Sequence, residues 1–404
     1  MKLAFVSTQS GTPWAASEFL WEECASLALE AGHEVLVSTY KWKTTHPAVM
    51  ALARKGAQIC RRRRPMVGRF ERTIERFCVR WRHLTAFKPD VVCVSQSASY
   101  DAIVAPDLGS LPQTLYALEK PFVLVCNALP ENWTLNDGAR ERGRRLFRTA
   151  KAAVFISQRN LEIAERHLAA TISNATFLHA PANVIEPVPL GWPSDNGVIK
   201  MAIIGRLDVA TKGHDVLLET LACDVWRNRN WQLSIFGDGP DRKYLEELAH
   251  HYGIGERVTF RGHVQDLSAV WVDNHLLVMP SRHEAGPLVV IEAQLYGRPV
   301  VATDVGLVPN WIEDGKTGFI AAAATRNALG NALERAWEAR DSWAQMGKAA
   351  HAKGSSLWIR NPGQRLLDLM TAGDATSSLA QRSGGNTRDA LSNETSTLAK
   401  RVHN

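Results

Sequence analysis

The chain has 404 residues, of which 45% are hydrophobic and 22% charged, and it carries six cysteines and a formal net charge of +6 at pH 7. That length exceeds one ordinary core and suits two globular domains, while no apolar run approaches the ~20 residues of a membrane-spanning helix. No Cys-x-x-C pair is present, so the cysteines read as reduced structural thiols of a cytoplasmic protein and exclude a disulfide framework or zinc site.

The opening MKLAFVSTQS reads as a first strand and not as a secretory signal. Strand-like runs then alternate with helical patterns: KLAFVST, HEVLVST, DVVCVSQ, PFVLVCN and AAVFIS in the first half. The segment 61–90 starts with Arg61, Arg62, Arg63 and Arg64 and continues with Phe70, Ile74, Phe77, Trp81 and Leu84 at helical spacing. Two readings of this basic amphipathic helix stand: its apolar face packs on the sheet, or its arginines draw the protein to anionic lipid. Residues 1–190 hold 24 Lys and Arg against 17 Asp and Glu, whereas the remainder is near balance, so the basic excess is local. That locality, with no recognition module, argues against nucleic-acid binding.

Residues 186–197, EPVPLGWPSDNG, form the expected linker between domain 1–190 and domain 191–354. The second half repeats the alternation with IKMAIIG, WQLSIFG, RVTFRG, HLLVMP and PVVATD, which makes two doubly wound, Rossmann-like α/β domains facing a central cleft. Residues 355–371 suit a helix that returns to the N-terminal domain. Residues 372–404 have little to bury and read as a disordered tail.

In doubly wound sheets ligands gather at the carboxyl ends of the strands. After MAIIG stand Arg206 and, before Gly213, Lys212, two cations suited to phosphate oxygens. After HLLVMP, Gly286 and Pro287 open a helix from Leu288 to Tyr296, with Gly297 as its stop. Glu284 precedes that helix and Glu292 lies one turn inside it, so a phosphate at the helix N-terminus would be flanked by two acceptors. A nucleotide sugar has that layout. Each cation alone is equally a solvated loop residue, and Gly237 to Pro240 lacks the third glycine of a dinucleotide fingerprint and reads as a turn. His33 and His214 read as solvated loop residues, and His283 as either site lining or bystander.

GRL…KG, FGDGP, VTFRGHV, MPSRHEAGPLVVIEA, GRPVVATDVG and DGKTGF occur in this order and resemble the C-terminal domain of family 4 retaining glycosyltransferases, of GT-B architecture. GHEVLVST and FKPDVV extend the likeness to roughly residues 1–371. The resemblance implies that Arg206 and Lys212 bind the donor diphosphate, that Glu284 contacts the donor sugar and Glu292 the ribose, and that the backbone of Gly262, His263 and Val264 borders the base. It implies transfer to a hydroxyl acceptor with retention at the anomeric carbon, without metal or other cofactor; no Asp-x-Asp triplet is present. Three departures fall near the acceptor. Ala15 and Ala16 replace a frequent Gly-Gly, Asn127 stands where many members have histidine, and Asn310 where many have glutamate. Trp14 and Trp133 follow strands and suit either stacking on a sugar or a place in the core or a lid, as most tryptophans do. A non-catalytic nucleotide-sugar-binding or scaffold protein derived from this fold is the alternative.

Overall fold

The structure is a computed structural model that describes residues 1–9, 13–63, 81–96, 110–127, 129, 131, 134–184, 186–194 and 197–372. Arg64, the arginines from 69 to 80, Trp133 and the tail from 373 lie outside the described residues.

Apolar runs such as Leu3–Val6 are buried throughout, as parallel strands covered by helices on both faces require. The N-terminal sheet comprises β1 (Lys2–Ser7), β2 (Glu34–Tyr40), β3 (Gln58–Arg62), β4 (Val91–Gln96), β5 (Phe122–Cys126), β6 (Ala152–Phe155) and β7 (Ala175–Phe177). Its strands are parallel in the order β3-β2-β1-β4-β5-β6-β7, with Leu3 opposite Val35 on one side and Val91 on the other. The C-terminal sheet comprises β8 (Ile199–Ile204), β9 (Trp231–Phe236), β10 (Val258–Gly262), β11 (Leu276–Met279), β12 (Val300–Thr303) and β13 (Gly318–Ala321). Its order, β10-β9-β8-β11-β12-β13, repeats the same plan. In each sheet the winding reverses beside the first strand, between β1 and β4 and between β8 and β11. Crevices for ligands open at those two points.

The helix Pro362–Thr371 crosses back to the first domain. Leu366, Leu367 and Met370 are buried with Leu3, Phe5, Trp21 and Cys24, and the Gly363 N–H donates to Glu23 at 2.7 Å. Among the described residues no helix is long and apolar enough to cross a membrane.

One expectation fails here. Arg61 and Arg62 end β3 and do not begin a helix, so side chains alternate: Arg61 and Arg63 are exposed while Arg62 is buried. The Arg62 guanidinium lies 4.3 Å from the Tyr40 ring and 4.6 Å from that of Trp81, and it donates to the Ser7 and Ser38 carbonyls. Arg62 therefore cannot meet a lipid headgroup, and the four-arginine patch is broken at its centre.

Candidate active site

Both cations read from the sequence follow β8, and both acids follow β11, so the reversal of winding brings the two sets to one crevice. Val209–Lys212 forms a single helical turn that ends at Gly213 with φ +63°. A Cβ there would stand 2.1 Å from the Pro280 carbonyl oxygen, so the turn after β8 and the loop after β11 touch backbone to backbone. Arg282 fastens them further. Its guanidinium grips Asp215 through two 2.8 Å bonds and donates to the Val209 carbonyl at 2.6 Å. Neither Arg282 nor Asp215 stood out in the sequence, although each lies within three residues of a predicted site residue.

Held in this way, the Lys212 ammonium forms an ion pair with Glu284, and the Ser281 hydroxyl donates to the same carboxylate at 3.1 Å. Both charges are half-buried or deeper, so each depends on the other for compensation. The Lys212 stem passes over Gly205, which has no side chain to obstruct it. Arg206 is exposed, with Asp208 at 4.0 Å, leaving its guanidinium largely uncommitted.

The helix after β11 spans Leu288–Leu295, with Pro287 in the cap position and Gly297 at φ +75° behind it. Gly286 lies beneath the N-terminal domain: a Cβ would be 2.5 Å from Ile156 Cγ2. Glu292 is buried and accepts the Asn183 backbone N–H at 2.7 Å, from the segment that joins the domains. Burial pushes its carboxyl up to about 7, with the Asn183 N–H opposing the shift. Gly262 ends β10 at φ +73° with open space around it, followed by exposed His263 and half-buried Val264. Gly237 packs against the Gly205 carbonyl.

The N-terminal crevice is lined differently. The Thr8 hydroxyl donates to the Ser95 carbonyl at 3.0 Å and the Asn127 amide to the Ser95 hydroxyl at 3.3 Å. Ala15 is extended at φ −144° and Ala16 begins a short 3-10 turn, so no left-handed conformation is demanded where glycines were expected. Trp14 stacks on His46 at 4.3 Å, which already covers one of its faces. Sequence reasoning missed Glu18, which is buried and accepts the Ser7 hydroxyl at 2.5 Å. Burial pushes its carboxyl up to about 7, against the pull of Ser7 and of the Arg62 charge. Nothing in the run SEFLWEE marks that acid as internal.

The histidines need one correction. His214, expected in solvent, is buried as the first residue of the helix His214–Leu221, and neither ring nitrogen has a hydrogen-bond partner. Burial, aided by the Lys212 charge, pushes its imidazole down to about 4. His283 is exposed, with its backbone N–H 3.3 Å from the Thr211 carbonyl, and Asn310 is exposed. Among the described residues no three His, Cys, Asp or Glu side chains converge as metal ligands.

Two domains of this geometry have known counterparts. Residues 199–339 match the family described as glycosyl transferases group 1. The chain is 36% identical over 134 residues to the alpha-D-kanosaminyltransferase of Streptomyces kanamyceticus, covering 33% of this chain and 34% of that one. It is 33% identical over 172 residues to the D-inositol 3-phosphate glycosyltransferase of Gordonia bronchialis, covering 40% and 37%. The matches thus span about a third of the length of these relatives. Among solved structures, Anabaena HepE in complex with UDP and glucose superposes over 91% of this chain and 98% of its own, with TM-score 0.68 and 17% identity. WaaG, a glycosyltransferase of lipopolysaccharide biosynthesis, gives TM-score 0.68 and 18% identity over 92% and 100%. These likenesses establish the GT-B architecture across both domains.

Proposed function

We propose that this chain, whose C-terminal domain belongs to the glycosyl transferases group 1, transfers a sugar from a nucleotide-sugar donor to a hydroxyl acceptor and retains the anomeric configuration, forming an α-glycosidic bond. The observation that carries the reading is the meeting of Lys212 and Glu284 at the β8/β11 crevice, with Arg206 in the same loop as Lys212 and Glu292 in the helix that follows Glu284.

In this reading the diphosphate displaces Glu284 from Lys212 and is held by Lys212, Arg206 and the free N–H groups at the start of the Leu288–Leu295 helix. Glu284, released from the ion pair, accepts from sugar hydroxyls, and the second oxygen of Glu292 accepts from the ribose. As the bond from the anomeric carbon to the diphosphate breaks, its electron pair stays on the phosphate oxygen, where fixed cations stabilise it. The acceptor oxygen bonds to the same carbon from the N-terminal side, and its proton passes to the departing diphosphate. No protein nucleophile and no metal takes part. Asn127, turned toward Ser95, supplies no base. That feature favours the second reading, a nucleotide-sugar-binding protein without transfer.

Thermal denaturation with UDP, GDP, ADP, TDP and their sugars tests the proposal. A ligand at a hundred times its dissociation constant adds ~2.7 kcal/mol to native stability. One nucleotide is expected to raise the melting temperature of the wild type but not of Arg206→Ala or Glu292→Ala. Silence from every nucleotide refutes the donor site. Binding with neither hydrolysis nor transfer of the donor selects the non-catalytic reading.

A further inference from the structure

After β2 the chain runs Lys41, Trp42, Lys43, Thr44 and turns back into the helix Pro47–Arg54, while Pro13 of the β1 loop faces it. Between them is a recess of about 550 Å³, within the range of small-ligand sites. It leads inward to a cavity of about 20 Å³ walled by the Trp14–His46 stack, Glu18 and Arg61, with room for one water-sized group.

Two lysines line this recess, and its inner cavity is lined by one arginine and one acid, Glu18. Lys41, Lys43 and Arg61 form no ion pair among the described residues, whereas Lys2 and Lys55 of the same domain pair with Glu34 and Glu30. The Pro47–Arg54 helix directs its N-terminus into the cavity, and its cap, His46, accepts the Ala48 N–H at Nδ1 at 3.3 Å. The proton of neutral His46 therefore resides on Nε2, a further donor. Glu18, the one acid of the lining, is committed to Ser7. Unpaired cations, a positive helix end and a neutral imidazole donor together favour a bound anion. Half-buried Trp42 offers the recess an aromatic ring.

We infer that this recess binds the anionic group, a phosphate in the first instance, of a saccharide acceptor, with Lys41, Lys43 and Arg61 on the anion and Trp42 against the sugar. The inference rests on the glycosyltransferase reading, which puts the acceptor on the N-terminal side. Lys41 and Lys43 line the recess and Arg61 the narrow cavity that shares Pro13, Trp42 and Thr44 with it, an arrangement that can present all three to one anionic group.

Calorimetric titration of the full chain with glucose 6-phosphate, inorganic phosphate and glucose at matched ionic strength is the test. Glucose 6-phosphate is expected to bind more tightly than either of the others. A Lys41→Gln, Lys43→Gln double variant is expected to weaken it on the order of tenfold or more, as the loss of charged hydrogen bonds does. Trp42→Ala should weaken glucose 6-phosphate while leaving inorganic phosphate unchanged. Equal binding of glucose and glucose 6-phosphate, no binding of either phosphate, or full binding by the double variant overturns the assignment. Lysine-dependent sedimentation with phosphatidylglycerol vesicles but not phosphatidylcholine vesicles, without glucose 6-phosphate binding, assigns the recess to a lipid headgroup instead. Nucleotide-induced stabilisation, measured in parallel, separates the two claims. If it persists while the phosphosugar fails, only this inference falls; if it is absent, the donor reading falls by its own test.

Discussion

At the β8/β11 crevice the candidate side chains are charged and pair across two loops, Lys212 with Glu284 and Arg282 with Asp215. At the β1/β4 crevice they are hydroxyls and an amide, Thr8, Ser95 and Asn127, engaged with one another and with backbone. Both sheets have the same order, so the contrast lies in the loops and not in the scaffold. A crevice that must accept developing negative charge keeps fixed cations ready. In the proposed reading, one that orients a neutral hydroxyl needs only neutral hydrogen-bond partners.

The contrast is broken most directly by comparing Lys212→Ala with Asn127→Ala. Loss of an aimed electrostatic group lowers turnover by roughly two to three powers of ten. Loss of one neutral hydrogen bond costs about tenfold or less. Steady-state transfer rates decide it, and a larger loss in Asn127→Ala would invert the assignment of roles.

A smaller effect, on stability, probes how the two crevices are held together. Gly286→Ala drives a Cβ to 2.5 Å from Ile156 Cγ2, and such overpacking costs roughly 1–3 kcal/mol. Ile156→Ala in the same chain should recover part of that loss, a coupling expected only of residues in contact. Urea unfolding of the four proteins measures it; strict additivity would show that the domains do not pack through this contact.

The remaining expected effect is one of pH. Burial raises both Glu18 and Glu292 from 4.5 to about 7, so the folded chain holds protons that the unfolded chain has released. Each group therefore withdraws stability as pH rises from about 4.5 to 7, and the full penalty stands above that range. Glu18→Gln and Glu292→Gln should each gain in melting temperature relative to wild type between pH 5 and pH 8. A constant offset across that interval would mean that both carboxyls are ionised throughout.

Among the described residues ten of the thirteen strands were legible as apolar runs, most of them because a strand buried on both faces has few polar positions to interrupt its pattern. The three that escaped, β3, β7 and β13, are edge strands. β3 and β7 are only partly buried, β13 is a four-residue strand that opens on Gly318, and in β3 two arginines close the strand and imitate the start of a basic helix. Arg206, Lys212, Glu284 and Glu292 were singled out as candidates for a related reason. Each stands in a short loop or the first turns after a strand, and strand ends are where a doubly wound sheet collects its chemistry.

The contacts those residues make were not legible. Lys212 and Glu284 are 72 positions apart, and only the reversal of winding between β8 and β11 lets them meet. Asn183 reaches Glu292 with a backbone N–H, a donor every residue but proline possesses. His214 and Glu18 look like solvated polar residues until helices and loops distant in sequence close over them. Local patterning specifies which segments become strands and which loops carry charge, since periodicity and composition act over a few neighbouring residues. Which charges become partners, which acids lose their water and where cations stay free depend on the packing of segments far apart in the chain, and that packing exists only in the folded molecule.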